Sequence, residues 1–235
     1  MRYGLFMDYL VSLPGGNLPG INPRAMPWWI KLAQQLSDPE AFSQKKATTP
    51  GYIANTAVID ETNGPVIIGD NTRICHGAVL EGPLCIGRDC LVGNNAFIRA
   101  GSMLGDRVRI GFSTEVKASI IENNATIGPQ CFIADSIVCR SVYMGAMVRT
   151  SNHRLDGKNV HVFHEGVLVD SGREKLGCFI GEGASLGVQV IILPGRIVAS
   201  GTQLAPRIIV ERNLPAGQYR LHQELLGIVY PEGKS

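Results

Sequence analysis

Apolar positions recur at every sixth residue through the middle of the chain. From Ile68 the series runs Ile74, Leu80, Ile86, Val92, Ile98, Leu104, Ile110 and Val116, each a branched aliphatic. Four residues after each member stands Thr72, Ala78, Leu84, Cys90, Ala96, Ser102, Val108, Thr114 or Ile120, small or aliphatic. Gly follows directly at Gly69, Gly87, Gly93, Gly105 and Gly111. A period of six matches neither the 3.6-residue helix nor the two-residue alternation of a half-buried hairpin strand. It predicts short strands joined by tight corners, with one large side chain filling the interior and a small one near each bend. Three hexads close a triangular coil, and coils stacked at ~4.8 Å pair their backbone groups from coil to coil. The predicted fold is an all-β, parallel β-helix whose hand the spacing leaves open.

The phase slips by one residue after Ser119, resumes at Ile121, Ile127 and Ile133, and blurs through Cys139 and Gly145. A second clean register runs Ile180, Leu186, Ile192, Val198, Leu204. Between them Ser151 to Gly177 breaks the repeat, and its two β-rich runs around His164-Glu165-Gly166 predict a hairpin insertion. Long insertions in repeat proteins gather on the functional side. Upstream, Pro27-Trp28-Trp29 through Leu36 reads as a short amphipathic helix with Pro near its start. Asp38 to Phe42 reads as a further helical turn, and Lys45 to Pro50 as a polar link. A solenoid needs its open end covered, so the helix is expected to plug the first coil. The expected division is an N-terminal extension with helical cap over 1–52, the β-helix over 53–217 with its insertion at 151–177, and a tail over 218–235.

Composition adds exclusions. A net charge of +2 with 18% charged residues gives no electrostatic case for nucleic acid or an anionic membrane surface. No apolar run reaches membrane-span length. Asp8 interrupts the mildly apolar start, so a secretory signal is not expected. The six cysteines (75, 85, 90, 131, 139 and 178) form no CxxC pair and read as buried thiols in a reducing, cytoplasmic compartment.

The hexads, with the ending Val210-Glu211-Arg212-Asn213-Leu214-Pro215-Ala216-Gly217, resemble the hexapeptide-repeat acyltransferases. Phe97 to Gly101, Leu104 to Gly111 and Glu115-Val116-Lys117-Ala118-Ser119 resemble the acetyltransferase domain of the bifunctional glucosamine-1-phosphate acetyltransferase / N-acetylglucosamine-1-phosphate uridylyltransferases. Asn152 to Gly157, the hairpin and Asp170 to Gly177 are similar to the tails of archaeal-type sugar-1-phosphate nucleotidylyltransferases. The residues before Ile53 are too few for a nucleotidylyltransferase domain. The resemblance implies a left-handed β-helix, a homotrimer with sites between subunits, and acetyl-CoA or another acyl-CoA as co-substrate. It places Arg99 and Lys117 on a sugar phosphate, Asn152 in the family's substrate-binding Asn loop, and Ala146 against coenzyme A; Arg212, near the C-terminal coil, is a candidate for the coenzyme's phosphates, the alternative being an ordinary solvated charge. Pro129 occupies the position of the family's catalytic His, Phe132 that of its Tyr, and Tyr143 that of a sugar-binding Asn.

Acyl transfer to an amine needs a base, and His is the usual one near neutral pH. His153, beside Asn152, is the candidate; the alternative is a loop histidine without a role. His76 falls in a corner, and His161 and His164 fall in the hairpin. No two histidines match in neighbouring coils, so no metal site is expected. Cys131 falls at a small interior position, where a thiol is inert. Arg196 falls in an interior phase, and a local slip is expected there because an unpaired buried Arg is costly. Arg207 reads as a solvated charge. Arg99 and Lys117, eighteen residues apart, are expected to stack on one face with Glu81 sharing their phase. Two readings follow. One is an acyl-CoA-dependent acyltransferase acting on an amino-sugar phosphate or nucleotide sugar. The other is a decayed sugar-phosphate-binding or structural partner of a separate nucleotidylyltransferase.

Overall fold

The computed structural model describes residues 27–38, 51–164, 166–224 and 226. Short parallel strands form three sheets of nine, eight and seven strands, and a small antiparallel pair joins His161–His164 to Val167–Asp170. The chain visits the first, second and third sheets in turn, from Tyr52–Ile53 through Val58–Asp60 to Val66–Ile68, and repeats. The result is a left-handed parallel β-helix of about nine turns with a triangular section.

The six-step aliphatics fill the interior. Ile74, Leu80, Val92, Ile98 and Val116 have no exposed surface, and Ile110 has 1%. They stack in register, Ile74 on Val92 and Ile110 on Ile127, so each coil buries the rung before it. Small polar residues near the bends pair backbone groups. Thr114 donates to the Gly128 carbonyl at 2.8 Å and accepts from the Cys131 amide at 3.1 Å. Corner glycines are required by close approach: a Cβ on Gly111 would stand 2.6 Å from the Gly128 carbonyl carbon.

The slip after Ser119 has a structural cause. Val116 to Ile121 and Ile133 to Val138 are five-residue steps, each one short, at the corner from the second sheet to the third. Ala118 (φ 43°) and Asp135 (φ 48°) turn these corners in the left-handed region, where a Cβ is disfavoured. The blur expected near Cys139 resolves into Val138, Met144 and Thr150, all buried on the interior rungs.

One expectation is corrected. The helix α1 (Trp28–Ser37) does not plug the first coil; it lies along the outside of the third sheet. The outward positions of that sheet, Ile67, Cys85, Met103, Ile120, Ile137, Phe179 and Ile197, are apolar and form a second core. Trp28, Trp29 and Leu32 cover it together with Val160 and Val162 of the insertion. Trp28 lies 6.2 Å from Phe179 and Trp29 5.7 Å from His164, centroid to centroid. Burial of each such side chain contributes about 2 kcal/mol, which outweighs plugging one rung. In the first coil Ile53 remains 49% exposed. The solenoid also runs past 217, since Gln218–Tyr219 pairs with Gln203–Leu204. The expected helical turn over Asp38 to Phe42 and the link from Lys45 to Pro50 lie beyond the described residues, Asp38 itself excepted.

Candidate functional site

The prism edge between the second and third sheets collects most of the predicted site residues. Val116 pairs with Ile98, so Lys117 stands directly over Arg99, one coil apart. The expected stacking is therefore present, but the two cations do not face each other unpaired. Arg99 Nη1 lies 3.1 Å from Glu115 Oε1, and Lys117 Nζ lies 3.1 Å from Asp135 Oδ2. Glu81 makes no hydrogen bond or ion pair with Arg99; Glu115 takes that place. The Arg99 guanidinium also lies 5.7 Å from the Phe97 ring.

Asp135 is the hub of this edge and is only 7% exposed. The same Oδ2 that receives Lys117 accepts the Asn152 amide at 2.6 Å. Its backbone amide donates to the Lys117 carbonyl at 3.0 Å, and its carbonyl accepts the Gly177 amide at 2.9 Å. Asn152 and Gly177 are the two ends of the insertion, so one residue clasps both. The Leu176 amide donates to the Asn152 carbonyl at 2.9 Å, and His153 bridges Lys175, which zips the neck shut. Sequence reading missed Asp135. In the shortened coil the residue stacked on Lys117 is Ala134, and Asp135 turns the corner beyond it. The available signal was an acid within the apolar run Ile133-Ala134-Asp135-Ser136-Ile137.

The structure brings Arg99, Lys117 and Asn152 to one edge. His153 follows Asn152 there, but its exposed ring has no hydrogen-bond partner among the described residues. Arg212 lies farther along the same edge, after Val210. Ala146 does not: it turns the first-to-second edge, its carbonyl accepting the Gln189 amide at 2.9 Å. The second sheet separates Ala146 from Arg212 within one chain. Pro129 is exposed on the same edge as Ala146. Cys131 is 3% exposed, burial pushes its thiol pKa up, and its sulfur lies 3.2 Å from the Gly145 carbonyl oxygen, as a structural thiol would. His76 Nδ1 lies 2.9 Å from Thr56 Oγ1 at the start of the solenoid.

The slip expected at Arg196 does not occur. Ile192 and Val198 both stay fully buried on their rungs, and Ile197 keeps its register with Phe179. The stem of Arg196 leaves the corner half-buried, so no slip is needed to keep the charge out of the core. On the first sheet a cleft of about 520 Å³ is lined by Tyr143, Ser185, Gln203, Gln218, Tyr219 and Arg220, among others. Among the described residues no three His, Cys, Asp or Glu side chains cluster as metal ligands, and no helix is long and apolar enough to cross a membrane.

Comparison with known proteins finds relatives along most of the chain. The GMPPB C-terminal domain family matches residues 80–173. The uncharacterized acetyltransferase YaiX of Escherichia coli O6:K15:H31 is 53% identical over 228 residues, covering 94% of this chain and 98% of that protein. The bifunctional sugar-1-phosphate nucleotidylyltransferase/acetyltransferase of Sulfurisphaera tokodaii is 35% identical over 156 residues, or 66% of this chain and 39% of that one. Among solved structures, the UDP-N-acetylglucosamine acyltransferase of Francisella novicida aligns over 71% of this chain and 63% of that one, at 16% identity and a TM-score of 0.30. With an acetyltransferase matched along nearly its whole length and coils built from six-residue steps, the chain belongs to the hexapeptide-repeat acyltransferases.

Proposed function

We propose that this protein transfers an acyl group from acyl-coenzyme A to the amine of an amino sugar carried as a sugar phosphate or nucleotide sugar. The observation that carries the reading is the alternation of charge along the second-to-third edge: Arg99, Glu115, Lys117, Asp135. Each cation already has an acid, so the row as a whole offers little to a simple anion. A ligand bearing both phosphate and ammonium matches it, with phosphate toward Arg99 and Lys117 and ammonium toward Glu115 and Asp135. Asn152 adds an amide for a sugar hydroxyl.

In the reaction the amine loses a proton, its lone pair forms the N–C bond to the thioester carbonyl, and the C–S bond breaks to release the coenzyme thiolate. The His153 imidazole and the Asp135 carboxylate are the proton acceptors at this edge. The coenzyme runs past Ala146 of one subunit and Arg212 of another, in a homotrimer. The third sheet is covered by its own helix and hairpin, which leaves the first and second faces for assembly. The second presents Val79, Phe97, Phe132, Ile191 and the half-exposed Val58 and Ile209. Six free thiols suit a reducing cytoplasm.

The test is release of free coenzyme A thiol from acetyl-CoA over a panel of amino-sugar phosphates and amino nucleotide sugars. Release that requires the amine is expected, with glucosamine-1-phosphate a slow substrate, because Pro129 offers no base and such a loss costs about 10²–10⁴ in rate. A protein that binds neither acetyl-CoA nor any panel member contradicts the proposal. Pro129 also favours a second reading, a sugar-phosphate-binding partner without turnover, and acceptor binding without thiol release would select it.

A further inference from the structure

The insertion that carries Asn152 and His153 is held at two places. One is its neck, clasped by Asp135. The other is its far end, where α1 meets the hairpin. Trp28 and Trp29 are equally buried but face different partners. Trp28 packs on Phe179 of the third sheet, whereas Trp29 meets the half-buried His164 of the hairpin edge to face, with the ring planes at 87°. The ends of α1 add little to its hold. Pro27 makes no side-chain cap, and the helix has no acid in its first turn and no base in its last. Ten residues are too few for a stable isolated helix, so α1 keeps its place largely by apolar contact.

The hairpin depends on what it packs against, since two strands alone are marginally stable. Its inward Val160 and Val162 are buried, while Val167 and Leu168 face solvent. Its base rests on the corner at Gly195, where a Cβ would stand 2.7 Å from the His161 carbonyl oxygen and 2.8 Å from Val160 Cγ1. From His164 the returning limb, 167–177, is bonded to the outgoing limb all the way to the neck. Val167 pairs with His164 and Asp170 with His161. The Val160 amide donates to the Arg173 carbonyl at 2.8 Å, and the Ser171 amide to the Val160 carbonyl at 3.1 Å. Lys175 then bridges His153, and the Leu176 and Gly177 amides reach the Asn152 and Asp135 carbonyls. We propose that Trp29 is a positioning residue for the candidate site: through His164 it fixes the hairpin, and the returning limb fixes the neck that sets Asn152 and His153 beside Asp135. The effect on rate rests on the proposed acyl transfer; the mechanical link stands on the contacts alone.

The experiment cuts the Trp29–His164 contact from each side in the full chain. Trp29→Leu keeps an apolar side chain under α1 but is too short to meet His164, and His164→Ala leaves α1 its contacts with the third sheet. Hydrogen–deuterium exchange read by mass spectrometry should show residues 172–179 exchanging roughly tenfold faster in both variants, with the rung segment 104–111 unchanged. With acetyl-CoA and the fastest amine of the amino-sugar panel, kcat/KM for the amine should fall about tenfold or more, while KM for acetyl-CoA holds. The double variant should be no worse than either single one, because both remove the same contact. His164→Phe, which keeps a ring against Trp29, should behave as wild type, and so should Trp28→Leu, which loses packing on Phe179 instead. If Trp29→Leu fails to fold, His164→Ala decides alone. Unchanged exchange at 172–179, faster exchange with unchanged kcat/KM, or an equal effect of Trp28→Leu overturns the role of Trp29. Faster exchange in a protein whose wild type transfers no acyl group would keep the mechanical link and remove the proposed reaction.

Discussion

Arg99 and Lys117 each have an acid within 3.1 Å, while Arg196 and Arg212, on the same edge, have none among the described residues. The first pair sits over shortened coils whose corner carries Asp135, and the second sits where the coil regains six residues and the corner is Gly195 (φ 74°). Family resemblance assigns the sugar phosphate to the first pair. The structure shows a charge-balanced row at one end of the edge and, at the other, two arginines without an ion pair among the described residues. The difference arises from one corner residue, because an Asp that can tolerate left-handed backbone brings its carboxylate where a Gly brings nothing.

The comparison breaks most visibly at Asp135. Asp135→Ala strands a mostly buried Lys117 and the Asn152 amide, and should cost about 3 kcal/mol, read as a lowered urea midpoint. Arg212→Gln at the other end should stay within about 0.5 kcal/mol. If the two variants unfold alike, the first row is an ordinary surface row. A sharper contrast is one of sign. Lys117→Met leaves Asp135 without its cation and should lower stability by about 2 kcal/mol. Arg196→Met should leave stability unchanged or raise it. Equal losses would mean that Arg196 has its own compensation.

A smaller effect belongs to the third-to-first edge, where Glu122 accepts the Arg140 amide at 3.0 Å. Burial raises the Glu122 pKa despite that bond. The folded state therefore holds this proton more tightly than the unfolded chain. The associated stability is fully present below the unfolded carboxyl value and is lost as pH rises through the raised folded value. Glu122→Gln should flatten the pH dependence of the unfolding free energy over that range, measured by denaturation at a series of pH values. An unchanged slope would assign it to other groups.

Much of this was legible in the sequence. The six-step aliphatics place the rungs, the break at Ser151 places the insertion, and Arg99, Lys117 and Asn152 fall on one edge. The outer cover was not read, though its mark is present: Ile67, Cys85, Met103, Ile120 and Ile137 recur once per coil. A search by hexads averages the three faces and hides a column that occurs on one of them. Asp135 was lost for a related reason: in the seventeen-residue coil the position stacked on Lys117 is Ala134, so following the slipped phase passes over the corner acid beside it. Arg196 was misjudged because the repeat assigns a phase to the Cβ, and a long side chain can leave the interior that its Cβ faces.

The balanced row is tested most directly by calorimetric titration with two sugar 1-phosphates that differ only in an amine and a hydroxyl, glucosamine-1-phosphate and glucose-1-phosphate. The account predicts that the amine-bearing sugar binds roughly tenfold tighter or more, and that Asp135→Asn removes most of that preference. Equal affinity for the two, or tighter binding of the sugar without an amine, would contradict it.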